Sequence, residues 1–489
     1  MTRPAYDVAA IRTAEAAVLA RVGDLALMQR AAHGLALTCV RMLDQCYGST
    51  VALLVGSGNN GGDALFAGAE LAGRGAAVTA VLTGSRSHPS GTAALRRAGG
   101  RIVSADQRAA EVAVSTADLV LDGVVGIGGH GPLASRPADL LDLAVATGAV
   151  IVAVDVPSGV ESDTGQVDGD AVWADVTVTF GSLKPGLVVA PGALHAGLVE
   201  VVDIGLRAEL SVAPPALEVL DAADVAALLP QPDAASDKYS QGVAGIVAGS
   251  TRYPGAALLT TGGALYAKAG LVRYAGPAAK QVVGRWPSAI VVDGPPDAAG
   301  QVQAWGIGPG IGTDAAAART LGGVLAADLP TVVDADALTL LAKHPDLLAQ
   351  VHGRTAPTVL TPHDREFTRI APDLDLETDR VAAAAALARR LGATVLLKGV
   401  TTIVATVDRV PLVNPTGTPW LANAGTGDVL TGILTAYLAA GRDPHLAAGA
   451  AAFVHGLAGH LASNGDRQPL TSDDLVHALP RAYGLFGDD

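Results

Sequence analysis

Short apolar runs alternate with longer stretches of helical spacing along most of the chain. In the first half, "VALLV", "AAVTAVL", "ADLVLD" and "AVIVAVD" read as strands, and "VTVTF" and "LVEVVDI" follow them. Helical spacing occupies about Ile11 to Val22 and Leu25 to Cys46, ahead of the first strand, and recurs between the runs. That alternation predicts a parallel sheet with helices on both faces. From Gly205 to Tyr239 the pattern breaks into a stretch with four prolines and no long strand, read as a linker and domain boundary. A second alternation follows, with "GVAGIVA", "GLVRYA", "SAIVVD", "TVVDAD", "TVLTP" and "TVLLKG" as strands, and the chain is almost wholly helical from Thr426 on. The expected class is α/β throughout.

Composition narrows the function classes. The 489 residues are 50% hydrophobic and only 3% aromatic, which suits tightly packed α/β layers. Apolar runs such as "VAAAAALA" stop well short of the ~20 residues a bilayer needs, so no membrane span is expected. The opening "MTRPAYDVAA" lacks a charged region followed by an apolar core, so no secretion signal is expected either. A net charge of −14 with no basic run argues against nucleic acid. Cys39 and Cys46, seven apart, are expected on one helix face as plain thiols, about 10 Å apart and not disulfide-bonded. These features suit a cytoplasmic protein.

The first half carries a G-x-G-x-x-G spacing at Gly56, Gly58 and Gly61, which would suit a dinucleotide loop. Asp63 stands just after it, where a charge would repel a pyrophosphate, and no ribose-binding acid follows about 20 residues on. Ligands of α/β sheets lie beyond the C-terminal strand ends. There the sequence places Asn59, Asn60 and Asp63, then Asp122 with a Gly-rich turn, then Asp155 and Ser158. Each carboxylate alone suits a turn or cap. Together, these oxygens would suit a hard cation.

In the second half the strongest motif is "LANAGTGDVLTG". Gly425, Gly427 and Asp428 open a long helix, where backbone N–H groups face a phosphate and a carboxylate can act as base. Asp334 and Asp336 in "VVDADAL" are read either as helix caps or as a place for Mg²⁺.

The chain resembles, over nearly its whole length, the NAD(P)H-hydrate repair enzymes. "GSGNNGGDAL", "DGVVGIGGHGPL", "AVDVPSGV" and "TVTFGSLKPG" are similar to the epimerase domain. "SDKYSQGVAGIVAGSTRYPGAALL", "WGIGPGIG", "VVDADAL", "LTPHDREF", "LLKGVTT" and the anion-hole loop are similar to the ribokinase-like dehydratases. The resemblance implies an N-terminal Rossmann-like three-layer domain over 1–215 and a C-terminal ribokinase-like α/β domain over 216–489. It implies K⁺ held by Asn60, Asp122 and Ser158. The hydrated dinucleotide would lie along Asn59, Asn60, Gly61, Gly62 and Asp63, along Gly126, Ile127, Gly128, Gly129, His130, Gly131 and Pro132, and against Asp155, the expected proton-transfer residue. In the second domain the resemblance implies contacts of Ala256, Gly310 and His363 with the hydrate. Lys398, Gly399, Val400, Thr401, Thr402 and Gly427 would hold the nucleotide, and Asp428 would be the base.

The implied activity is epimerisation of R and S NADHX or NADPHX. Dehydration of the S form would follow, with ADP as co-substrate and AMP and phosphate as products. Five residues depart from the family pattern: Ala64, Ile127, His130, Arg365 and, more mildly, Ala257. A ribokinase-type small-molecule kinase, or a dehydratase with a non-catalytic front domain, is the alternative. Ala-rich helical surfaces add an expectation of a homo-oligomer.

Overall fold

The computed structural model describes residues 2–229 and 237–486, so part of the linker read at Gly205 to Tyr239 lies outside the described residues. Two compact units are present, one of Pro4–Leu217 and one of the residues from Glu218 on together with Arg3 and the residue before it.

In the first unit seven strands lie side by side in the order Arg101–Ser104, Ala77–Leu82, Thr50–Val55, Leu119–Gly123, Val150–Val154, Val176–Phe180 and Leu198–Val202. Every neighbouring pair is parallel. The side chains of Thr50–Val55 alternate between two cores. Val51, Leu53 and Val55 face one and Ala52 and Leu54 the other. Both faces are covered, which explains the uninterrupted apolar runs. The chain leaves Thr50–Val55 toward one edge and returns at Leu119–Gly123 on its other side, so the switch point lies between these two strands.

The glycines after the first strand are required by packing. A Cβ on Gly56 would lie 1.9 Å from the Val124 carbonyl oxygen, and one on Gly61 would lie 2.3 Å from that of Gly56. The loop, the helix Asn59–Gly73 and the turn after Leu119–Gly123 therefore meet backbone to backbone. Ala64, the first departure from the family pattern, is fully buried there, its methyl against Gly123.

The second unit holds a mixed sheet. Thr394–Leu397, Thr358–Leu360, Thr331–Val333, Ala304–Ile307, Val243–Val247, Leu271–Ala275 and Ile290–Val292 run parallel in that order. Beyond Thr394–Leu397, the strand Thr402–Ala405 is antiparallel to both its neighbours, and Leu412–Asn414 pairs parallel with Leu217–Val219. Two helices on this sheet set the site. A Cβ on Gly263 would meet the Val429 carbonyl at 2.4 Å, and one on Gly432 the Thr260 carbonyl at 2.1 Å. Pro254–Tyr266 and Thr426–Ala439 thus touch through their backbones, and Leu259 reaches Gly425 near the start of the second.

The second helix of the chain spans Asp24–Met42 and ends there because Leu43 is extended. Cys46 is therefore off the helix, not on a face shared with Cys39, and both cysteines are free thiols.

Candidate functional sites

In the first unit the strand ends beside the switch point converge as expected. Asp122 is fully buried, with Oδ1 accepting from Ser158 Oγ at 2.7 Å and Oδ2 from the Ser158 amide at 2.8 Å. Ser158 Oγ also receives the Val125 N–H at 3.0 Å. Asn60 is buried beside them with an unpartnered Nδ2, and its Oδ1 would lie 2.9 Å from a Cβ on Gly126. Burial pushes the Asp122 carboxyl up to about 6, against the hydrogen bonds from Ser158. This is a set of uncharged oxygens around one desolvated carboxylate. Its chemistry fits a monovalent hard cation, and no cluster of three His, Cys, Asp or Glu side chains suited to a metal exists among the described residues.

Asp155 lies one strand over, with φ +68°, a conformation that side chains rarely adopt and that concentrates at functional positions. Its Oδ1 accepts from Lys184 Nζ at 2.5 Å, Phe180 N at 3.1 Å and Thr179 Oγ1 at 3.2 Å. Lys184 is only 1% exposed and also donates to Thr179 and the Phe180 carbonyl. Neither Lys184 nor Thr179 is singled out by the sequence reading, although a lysine amid the apolar "SLKPGLVV" signals a paired buried charge. Asp63 is buried in the first turns of Asn59–Gly73, whereas Asn59 is exposed at its start.

The loop Gly126 to Pro132 is irregular and partly exposed. Arg12 approaches it, its Nη2 3.3 Å from a Cβ built on Gly128. Ile127 packs against the apolar cluster of Val156, Val160, Leu187 and Ala196. His130 is exposed and meets Glu161 at 2.9 Å.

In the second unit the anion-hole loop closes on a buried polar network. Gly425 is the N-cap of Thr426–Ala439 with φ 91°, a left-handed conformation that favours glycine. Asp428 in the first turn is half-buried, and no hydrogen bond to its carboxyl is present among the described residues. Burial, reinforced by Asp334 and opposed by Lys398, pushes its carboxyl up to about 7. Lys398 Nζ binds Asp334 Oδ1 at 2.7 Å and lies 3.8 Å from Glu366 Oε2. Burial opposes the Lys398 ammonium, yet Asp334, Glu366 and Asp428 outweigh it and hold it above the usual lysine range.

Asp334 Oδ2 accepts from Thr431 Oγ1 at 2.7 Å, and Asp336 Oδ2 from the Gly312 amide at 2.9 Å. Both oxygens of Asp334 are thus engaged, and neither Asp caps the helix Asp336–Lys343, whose N-cap is Ala335. Asp334 is thus a member of this polar network and not a helix cap.

Of the other expected residues, Ala256 and Gly310 touch, since a Cβ on Gly310 would be 2.9 Å from that of Ala256. Gly427 lies beside Lys398, 3.5 Å from Nζ by the same measure. Gly399, Val400 and Thr401 form the turn after Thr394–Leu397, and Thr402 starts the next strand. His363 is half-exposed and forms a capping box with Glu366, so it anchors the start of Asp364–Ile370. Arg365 is exposed in the first turn of that helix, where no special backbone conformation is needed. Glu366 and Thr431 complete the network and are absent from the sequence reading.

The NAD(P)H-hydrate dehydratase family model matches residues 244–481, and that of the YjeF-related protein N-terminus matches residues 24–186. The bifunctional NAD(P)H-hydrate repair enzyme of Mycobacterium leprae is 49% identical over 465 residues, covering 94% of this chain and 94% of its own. The chain belongs to the bifunctional NAD(P)H-hydrate repair enzyme family. The Corynebacterium glutamicum member is 37% identical and covers 89% of this chain and 87% of its own. Among solved structures, a ribokinase-like superfamily protein from Enterococcus faecalis aligns with a TM-score of 0.50 at 26% identity, over 55% of this chain and 96% of that one. The ribokinase-like fold expected of the second domain is therefore present. The glycine loop at Gly56, Gly58 and Gly61 lies within the residues matched by the YjeF-related N-terminus model.

Proposed function

We infer that the chain repairs hydrated nicotinamide dinucleotides with two active sites. The first domain, 1–215, interconverts the R and S hydrates, and the second, 216–489, dehydrates the S form to NAD(P)H. The observation that carries the reading is Asp428. It is a carboxylate without a hydrogen-bond partner among the described residues, at the start of a helix and beside the half-buried Lys398 and two glycines. A helix N-terminus and a lysine suit phosphate, and a carboxylate lifted to about 7 suits a base at neutral pH. Asp428 would take the proton of the C6 hydroxyl as that oxygen attacks the β-phosphorus of ADP. The C6–O bond then breaks with release of phosphate and a proton leaves C5, so that the C5–C6 double bond of NAD(P)H forms and AMP remains. Ala256, Gly310 and His363 would border the hydrate, and Lys398 to Thr402 with Gly427 the nucleotide.

In the epimerase domain Asp155 would serve as base. Lys184 acts as a positioning residue by fixing one of its oxygens. Asn59 to Asp63 and Gly126 to Pro132 would line the dinucleotide, with Arg12 near its phosphates. Asn60, Asp122 and Ser158 would hold K⁺, which supplies a fixed positive charge near the ligand. Mg²⁺ would arrive with the nucleotide.

No helix among the described residues is long and apolar enough to cross a membrane. Free thiols support a cytoplasmic location. Self-association is part of the reading, supported by the edge strand Leu198–Val202, where Leu198 is 70% exposed.

Product analysis separates repair from a kinase. With the S hydrate and ADP, AMP, phosphate and NADH should appear in equal amounts. A stable phosphorylated product formed with ATP would overturn the reading. The cation site gives a second prediction. Asp122 is raised on folding, so its contribution to stability is lost as pH rises through about 6 unless a cation compensates it. Replacing choline chloride by KCl should raise the Tm more at pH 8 than at pH 5, and Asp122→Asn should abolish the difference. An equal effect at both pH values would contradict the site.

A further inference from the structure

Two carboxyl groups in the epimerase site live in opposite environments. Asp155 has one oxygen held by Lys184, Thr179 and the Phe180 amide. Asp63 is 8% exposed, and no hydrogen bond reaches its carboxyl among the described residues. Its electrostatic neighbours are Asp155 and Glu15, both acidic. Glu15 in turn faces Asp155, Lys184 and Arg12, and the His88 ring packs over Gly62 next door. Lys184 is ion-paired with Asp155 and Arg12 faces Glu15, so among the described residues neither cation of the cluster is paired with Asp63. Two buried carboxyl groups whose surroundings differ in this way suit opposite roles in proton transfer.

We propose that Asp63 is the general acid of the epimerase, working against Asp155 as base. This rests on the epimerase reading above and adds a catalytic residue to it. The substrate carbon C6 bears a hydroxyl and the ring nitrogen N1. Asp155 takes the hydroxyl proton while the C6–N1 bond breaks, so that C6 becomes an aldehyde. Asp63 gives its proton to N1 as the bonding pair moves onto nitrogen. Rotation about C5–C6 presents the other face of the aldehyde. Closure reverses both transfers, N1 returning its proton to Asp63 and the oxygen regaining one from Asp155. Nothing is oxidised or reduced, and both carboxyl groups end as they began. Burial first, then the charges of Asp155 and Glu15, raises the Asp63 carboxyl well above the ordinary range, consistent with a protonated resting form.

Asp63→Asn keeps the shape and removes the transferable proton. The full chain carrying it should be given purified R hydrate with ADP, with the uncatalysed epimerisation subtracted. The S hydrate is the internal control, because its dehydration reports a folded chain. R conversion should fall at least a hundredfold in kcat with KM within threefold, S dehydration should be unchanged, and Asp63→Glu should recover part of the loss. The wild-type epimerase should also show an alkaline limb that Asp63→Asn lacks. R conversion within threefold of wild type, or a loss confined to KM, overturns the assignment of Asp63. A wild-type chain that leaves the R hydrate untouched overturns the epimerase reading instead.

Discussion

Asp428→Asn should lower kcat for dehydration of the S hydrate by about 10²–10⁴-fold, the usual worth of a positioned base, with KM for ADP within a few fold. The asparagine keeps the volume and leaves the helix start and Lys398 in place, so nucleotide binding should survive. The pH dependence follows from the same residue. The Asp428 carboxyl is lifted to about 7, chiefly by burial, and only the ionised form accepts a proton. The wild-type rate should therefore rise between pH 6 and 8 and level off above. A variant within threefold of wild type, or a flat profile over that range, would remove Asp428 from the chemistry. Lys398→Ala should act differently. Its ammonium offsets the charge of Asp334 and lies beside Gly427, so KM for the nucleotide should rise as well as kcat fall.

Lys184→Met carries the second large effect. Lys184 and Asp155 form a buried ion pair, and removing one partner leaves an uncompensated charge, at a cost of about 3–5 kcal/mol. Epimerase activity should fall with it, because Oδ1 of Asp155 loses the shortest of its three hydrogen bonds. A double-mutant cycle distinguishes stability from chemistry. Lys184→Met with Asp155→Asn should recover much of the stability, since no charge is then stranded, while R conversion stays lost. Urea unfolding of the four proteins reads the first quantity and R-hydrate turnover the second. A single Lys184→Met variant as stable as wild type would mean that the pair is not coupled.

The long apolar strands and the terminal helices were legible because burial on both faces writes an unmistakable local pattern. Arg101–Ser104, Ala304–Ile307, Thr402–Ala405 and Leu412–Asn414 were not, although the equally short Thr331–Val333 and Thr358–Leu360 were, so length alone does not decide it and these four owe their state to ladder partners. "WGIGPGIG" reads as a glycine loop, yet its first residues are a central strand whose Gly306 abuts Thr435.

The site divides in the same way. Asn60, Asp122, Ser158, Asp155 and Asp428 could be named from strand ends and helix starts. The groups that tune them could not. Asp334 draws Lys398 from 64 residues away and Thr431 from 97, and only tertiary packing brings these together. Lys184 is the partial exception, for a lysine within a buried apolar stretch announces that a carboxylate must be near.

The most direct measurement is the conversion of purified R hydrate of NADH to NADH by the full chain with ADP, Mg²⁺ and K⁺, followed by absorbance. With two working sites, conversion should run to completion far faster than uncatalysed epimerisation followed by dehydration of the S form. Progress no faster than uncatalysed epimerisation, with the S hydrate consumed normally, would show a first domain without epimerase activity and contradict the bifunctional assignment.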